Sequence, residues 1–283
     1  MLFAREPKAL GLCLAIINRA IETDLIKRAG LSRKSGAKGG MVTLIQRFGS
    51  SLNLNVHLHM LILDGVYTTR SDGTVRFHQV NAPTQNQLEN LLAKLISRII
   101  TKLERLGLLI RDEQQPWLDL GDIDPLDDIS AASVRYTIAI GPQSGRRTLT
   151  LHNPALIRPP GKSKPLTVNQ NGFSLNASVA CRPEQRSKLE RLCRYVTRPP
   201  VCLDRLSQNE TGQIQYQLKH PFSNGTTHVV FSPLDFISKL TALIPRPRHN
   251  LVRYHGVLAP NAKLRQQVVP AAKKLSADHD RHL

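Results

Sequence analysis

The stretch that most constrains the fold is residues 53–65, NLNVHLHMLILDG, an apolar run with two histidines one residue apart. In a strand, side chains at i and i+2 point the same way, so His57 and His59 share a face with Leu61 and Leu63 while Val56, Leu58, Met60 and Ile62 line the other. Such an apolar run reads as a buried strand. Two imidazoles on one face of such a strand serve either as metal ligands or as hydrogen-bonded residues in a polar seam. The strand alone leaves both readings open.

The neighbouring patterns build the sheet. MVTLIQRF (41–48) reads as a second strand, and GVYTTRSDGTVRFHQV (65–80) as a hairpin turning at Asp72 and Gly73, giving an antiparallel meander. A helix is predicted over 85–108, where Leu88, Leu91, Leu92, Leu95, Ile96, Ile99, Ile100, Leu103 and Leu106 recur at the spacing of a buried stripe. SVRYTIAIG (133–141) and RRTLTLH (146–152) predict another hairpin, and RPPGKSKPLTVNQNG (158–172) a loop equally suited to a phosphate backbone or to solvent. PEQRSKLERLCRYV (183–196) reads as a helix with Pro183 in its first turn, stopping before Pro199 and Pro200. GQIQYQLKH and TTHVVF then predict strands across a loop closed by Asn224 and Gly225, before a helix at 233–244 capped by Ser232 with Pro233 at its first position.

These elements define an α+β class: a central antiparallel sheet with the histidine strand in its middle, helices 85–108 and 183–196 packed on one face, and a small α+β C-terminal unit. Residues 1–40 read as a helical lead-in and hinge, 41–210 as the main domain, 211–260 as the C-terminal hairpin-helix unit and 261–283 as a basic flexible tail.

Charge narrows the partner. With 39 Lys and Arg against 21 Asp and Glu, the net charge of +18 favours a polyanion, nucleic acid ahead of an anionic membrane. ALGLCLAII (9–17) is too short to span a bilayer and no cleavage site follows it, so a cytoplasmic protein without a membrane anchor is expected. Cys13, Cys181, Cys193 and Cys202 have neither zinc-knuckle spacing nor the look of a disulfide framework, and read as reduced, structural thiols. The acidic stretch 112–128 follows no ligand spacing and reads as a solvated loop.

On a helical wheel, the 183–196 segment places Leu189, Leu192, Cys193 and Val196 on one face and Tyr195 on its flank, about 110° from the face centre. Lys188 and Arg191 neighbour Tyr195 on that flank, with Arg194 and Arg198 close in sequence. A phenol among cations is a boundary residue or a nucleophile beside a phosphate site. Downstream, PRPRHNLVRYHG interleaves Arg246, Arg248 and Arg253 with Tyr and His, a mix that holds phosphates and stacks bases. A His pair, a tyrosine on a basic helix and a strongly cationic chain together supply what phosphodiester transesterification needs.

The segments QRFGSSLNLNVHLHMLILDGVY (46–67), RLCRYVTRPP (191–200) and VRYHGVLAPNAKLR (252–265) resemble the HUH-type rolling-circle transposases of bacterial insertion sequences, in matching order over about residues 1–270. The resemblance implies that His57 and His59 bind a divalent metal, Mg²⁺ or Mn²⁺, and that Tyr195 forms a 5′-phosphotyrosine link to single-stranded DNA at transposon ends. Gln46, on the neighbouring strand, is the candidate third ligand through its amide oxygen.

Lys188, Arg191, Arg194, Arg198, Arg246, Arg248 and Arg253 are the candidate DNA-binding residues. Members with two tyrosines carry them four residues apart; Arg191 stands at the earlier position here, so the chain resembles the single-tyrosine branch, and strand transfer would need either one tyrosine reused or a second subunit in a homo-oligomer. The family usually begins with a zinc-binding module, none precedes Met1, and a partial copy is expected. The competing expectation is a non-catalytic DNA-binding remnant. A relative specialised in replication initiation or plasmid transfer would share the chemistry and differ in substrate.

Overall fold

The computed structural model describes residues 2–110, 117–118, 124–159 and 165–270. Expectations for residues 112–116 and 119–123 of the acidic stretch, for positions 160–164 of the Pro- and Lys-rich loop and for the tail beyond 270 lie outside them.

Chain order runs from α1 (Leu2–Arg5) and α2 (Pro7–Arg28) through β1 (Gly40–Phe48), β2 (Leu54–Ile62), β3 (Gly65–Thr69) and β4 (Val75–Gln79) to α3 (Gln85–Arg105). Next come β5 (Leu109–Ile110), β6 (Trp117–Leu118), α4 (Pro125–Arg135), β7 (Leu149–Ile157), β8 (Thr167–Gln170), β9 (Phe173–Asn176) and α5 (Arg186–Val196). β10 (Leu206–Gln208), β11 (Ile214–Gln217), β12 (Asn224–Phe231), α6 (Pro233–Leu243), β13 (Val252–Gly256) and α7 (Arg265–Val268) complete the described chain. The class is α+β with antiparallel sheets. It divides into two compact units, one of Met1–Ala20, Leu44–His59 and Pro83–Leu251, the other of Ile21–Thr43, Met60–Ala82 and Val252–Leu283.

In the first unit α3 starts where its capping box dictates: Thr84 Oγ1 accepts from Gln87 N, and the Gln87 side chain accepts from Thr84 N. Its stripe buries Leu88, Leu92, Leu95, Ile96, Ile99 and Leu103, each such side chain contributing about 1.5–3 kcal/mol. Leu88, Leu92 and Ile96 pack with Val168 of β8, and Ile99 and Leu103 with Ala9 and Cys13 of α2. The helix ends at Arg105 instead of 108, because Gly107 turns the chain at φ +69°.

The second sheet has the order β10-β11-β12-β7, antiparallel throughout. Tyr216, Val229 and Phe231 of its middle strands are buried with Leu52 and Leu218. α6 begins as predicted, Ser232 Oγ accepting from Asp235 N with Pro233 at the first position.

Four expectations are corrected. The histidine strand β2 is not in the middle of its sheet: the order is β13-β1-β2, so β1 is central, and β1 is accordingly the more buried strand. Residues 133–135 are not a strand but the last turn of α4, because Asp124 and Asp127 form a capping box that starts a helix within the acidic stretch, and Ser133 is drawn inward to accept from Leu54 N at 2.8 Å. Tyr136 then leaves the helix at φ 58°, and only the isolated bridge Thr137↔Arg147 remains of the predicted hairpin. Residues 167–176, read in part as loop, form the β8–β9 hairpin, whose two-residue turn Asn171-Gly172 has positive φ at both positions. The tyrosine helix starts at Arg186, not Pro183, with Gln185 as its N-cap.

In the second unit β3 and β4 pair as predicted, with Gly73 at φ +81° and Asp72 Oδ1 accepting from Thr74 N and Oγ1. Gly256 is at φ +61°, and a Cβ there would collide with the carbonyl of Gly39, so this approach admits only glycine.

Candidate active site

Three segments of the first unit supply the site. β2 presents His57 and His59 on one face, as strand geometry requires, with ring centroids 4.9 Å apart at 75°. His57 Nδ1 donates to Asn55 O at 2.9 Å, which fixes the tautomer and leaves Nε2 with its lone pair free, the arrangement ligating histidines adopt. β1 brings Gln46, buried, so that Gln46 Oε1 lies 3.1 Å from His59 Nε2.

The ends of these strands are held firmly. Arg47, next to Gln46, donates to the carbonyls of Ala4, Ala242 and Leu243 at 3.2 Å each, satisfying carbonyls that the ends of α1 and α6 leave open. The Ser133 bond to Leu54 N fixes the start of β2. Lys239 of α6 in turn holds the end of α4, donating to Thr137 O at 2.6 Å and Ala132 O at 3.4 Å.

α5 supplies Tyr195. Of its predicted apolar face only Val196 is buried; Leu192 and Cys193 are half-buried and Leu189 is exposed, so the helix is anchored through its last turn. That turn carries Tyr195, whose ring centroid lies 6.1 Å from that of His59 at 76°. Arg198 Cζ lies 4.5 Å and Lys219 Nζ 5.4 Å from the Tyr195 ring centroid.

Burial, then the neighbouring His57 and Arg198, holds the His59 imidazole below its ordinary pKa, which favours its neutral form. The 3.1 Å between Gln46 Oε1 and His59 Nε2 is a hydrogen-bond distance, and it is also close to the separation of about 3.0 Å between cis ligands on an octahedral ion at about 2.1 Å. Among the described residues no three His, Cys, Asp or Glu side chains converge into a group that could hold a metal ion, and the polar atom nearest the histidine pair on the neighbouring strand is the Gln46 amide oxygen.

The other sequence-predicted residues divide. Arg198, half-buried, is at the tyrosine, whereas Lys188, Arg191 and Arg194 are exposed along α5. Arg246 is exposed and ion-paired with Asp124 at 3.0 Å. Arg248 is exposed at φ 63°, and Arg253 lies on β13 in the second unit. Lys219 was missed, since it follows β11 in a stretch with no motif and only the tertiary structure brings it to Tyr195.

Fold and site together define an α+β protein with a paired-histidine strand facing a tyrosine, on a strongly basic chain. Residues 40–266 match the family described as "Putative transposase", and the chain belongs to that transposase family. No curated protein and no solved structure matches it significantly. Among the described residues no helix is long and apolar enough to cross a membrane.

Proposed function

We propose that the chain is a metal-dependent nuclease and strand transferase of the HUH type, cutting and rejoining single-stranded DNA at transposon ends in rolling-circle transposition. The observation that carries this reading is the Tyr195 ring beside His59, across 136 positions of sequence. DNA binding alone asks for no such pairing; covalent phosphoryl transfer does.

His57, His59 and Gln46 would hold the ion, Mg²⁺ or Mn²⁺. When bound, it withdraws charge from the scissile phosphate as a Lewis acid. Tyr195 attacks phosphorus in line: the Tyr Oη–P bond forms, the P–O3′ bond breaks, the phenolic proton passes to water and the leaving 3′-oxygen takes one back. The 5′-phosphotyrosine conserves the bond energy, so a 3′-hydroxyl reverses the step on another strand without ATP. Arg198 neutralises charge on the phosphate, while Lys188, Arg191 and Arg194, exposed on the same helix, track the strand. Reaction at a second end requires Tyr195 to be reused or a second copy of the chain.

The test is incubation of the purified chain with labelled single-stranded DNA carrying the element's terminal sequence, with Mn²⁺ or EDTA, followed by a denaturing gel. A Mn²⁺-dependent covalent adduct absent in Tyr195→Phe is expected. Binding without adduct would instead establish a non-catalytic DNA-binding protein.

A further inference from the structure

Lys219 belongs to no motif, yet its ammonium shares an aromatic ring with the Arg198 guanidinium. Its backbone position is tightly specified. Leu218 is buried in the core with Tyr216 and Phe231, and its amide donates to Thr227 O at 2.8 Å. Three residues on, Phe222 N donates to Thr226 O at 3.0 Å. Lys219 therefore leaves a fixed main chain, with its side chain exposed and extended toward Tyr195.

Two cations on one phenol repel each other, and among the described residues no carboxylate pairs with either. Elsewhere this basic chain does pair its cations, as in Arg5–Asp127, Arg28–Asp24 and Arg246–Asp124. An arrangement that leaves two like charges uncompensated around an exposed nucleophile is relieved by an anion arriving there. The attack of a phenol on a phosphodiester brings that anion, since phenolate and diester together carry two negative charges into the transition state, matching the two cations.

We propose that Lys219 is a second phosphate-holding cation of the nuclease site, binding a non-bridging oxygen of the scissile phosphate together with Arg198 while Tyr195 attacks; this rests on the nuclease reading given above. Arg198 follows the end of the tyrosine helix, and Lys219 lies in the connection between β11 and β12 of the separate sheet β10-β11-β12-β7. Bound phosphate would thus link the tyrosine helix, anchored only through its last turn, to the more deeply buried sheet.

The experiment measures single-turnover adduct formation by the full chain with Mn²⁺ on labelled single-stranded DNA, comparing wild type, Lys219→Gln and Lys219→Arg. Loss of one preorganised donor to a developing oxyanion is expected to slow Lys219→Gln about 100- to 1,000-fold while single-strand affinity changes less than about 3-fold, and Lys219→Arg to recover most of the rate. A substrate with a neutral methylphosphonate at the scissile position separates phosphate binding from a structural role. On it the penalty of Lys219→Gln is expected to shrink to less than about 3-fold, because the charge that Lys219 holds is gone. Wild-type adduct with Lys219→Gln equally fast, or equally impaired on both substrates, overturns the proposal alone. A wild-type chain that forms no adduct overturns the nuclease reading and this inference with it.

Discussion

The imidazole of His59 and the phenol of Tyr195 meet edge to face, 6.1 Å between centroids and 76° between planes. A phosphate reaching the oxygen of one would lie close to the lone pairs of the other, so the two side chains are expected to fail differently. Tyr195→Phe should abolish the covalent adduct and leave Mn²⁺ affinity within about 3-fold, while His59→Ala should weaken Mn²⁺ at least about 10-fold. Calorimetric titration with Mn²⁺ beside the adduct gel checks the pair; equal loss of metal binding in both would break the assignment.

Gln46 is buried with its amide oxygen on His59. Gln46→Ala is expected to cost about 10- to 100-fold in Mn²⁺ affinity, the scale seen when even an outer partner of a ligand is removed. Unchanged affinity would strike Gln46 from the ligand set.

Lys239 is buried and bonds two carbonyls at the end of α4, with Asp235 four residues before it on α6. Burial lowers its pKa, and the Asp235 charge partly offsets that. Lys239→Met removes charged hydrogen bonds and is expected to cost about 2–4 kcal/mol, measured as a shift in the urea unfolding midpoint. A change below about 0.5 kcal/mol would show that those carbonyls find other partners.

The thiol of Cys13 is buried between α2 and α3, and burial pushes its pKa up from 9.0 to about 11. The raised folded value means that the contribution is fully present below pH 9 and is lost as pH rises toward 11, because the unfolded thiol ionises first. Iodoacetamide at pH 8 is expected to label Cys181, Cys193 and Cys202, which are half-buried, well before Cys13, as read by peptide mass spectrometry. Early modification of Cys13 would mean that the α2–α3 contact opens readily.

Gly256 approaches the Gly39 carbonyl at φ +61°. Gly256→Ala is expected to destabilise the chain by more than about 2 kcal/mol, combining a positive-φ penalty with a backbone clash, and thermal unfolding reads it directly. A neutral substitution would require this turn to rearrange.

The local patterns carried much of the fold. Apolar strand runs placed β1 and β2, Asp72-Gly73 the turn of the β3–β4 hairpin, the apolar stripe α3, and Ser232-Pro233 the start of α6. Each signal lies within a few residues of what it specifies, since caps, turns and side-chain periodicity act between near neighbours. The Asn171-Gly172 turn was equally legible as a hairpin, and its Pro- and Lys-rich setting obscured it. The Asp124 cap lay hidden in what read as plain acidity.

By itself, then, the sequence determined that His57 and His59 share a face, that Tyr195 sits on a basic helix and that the chain carries a net charge of +18. Only the tertiary structure decided that β2 is an edge strand, that Gln46 faces His59, that Tyr195 comes to that histidine and that Lys219 joins Arg198 on the phenol. Those neighbours are remote in the chain, and what brings them together is the burial of α3, Tyr216, Phe231 and the rest of the core, a free energy summed over the whole fold that no single stretch of residues encodes.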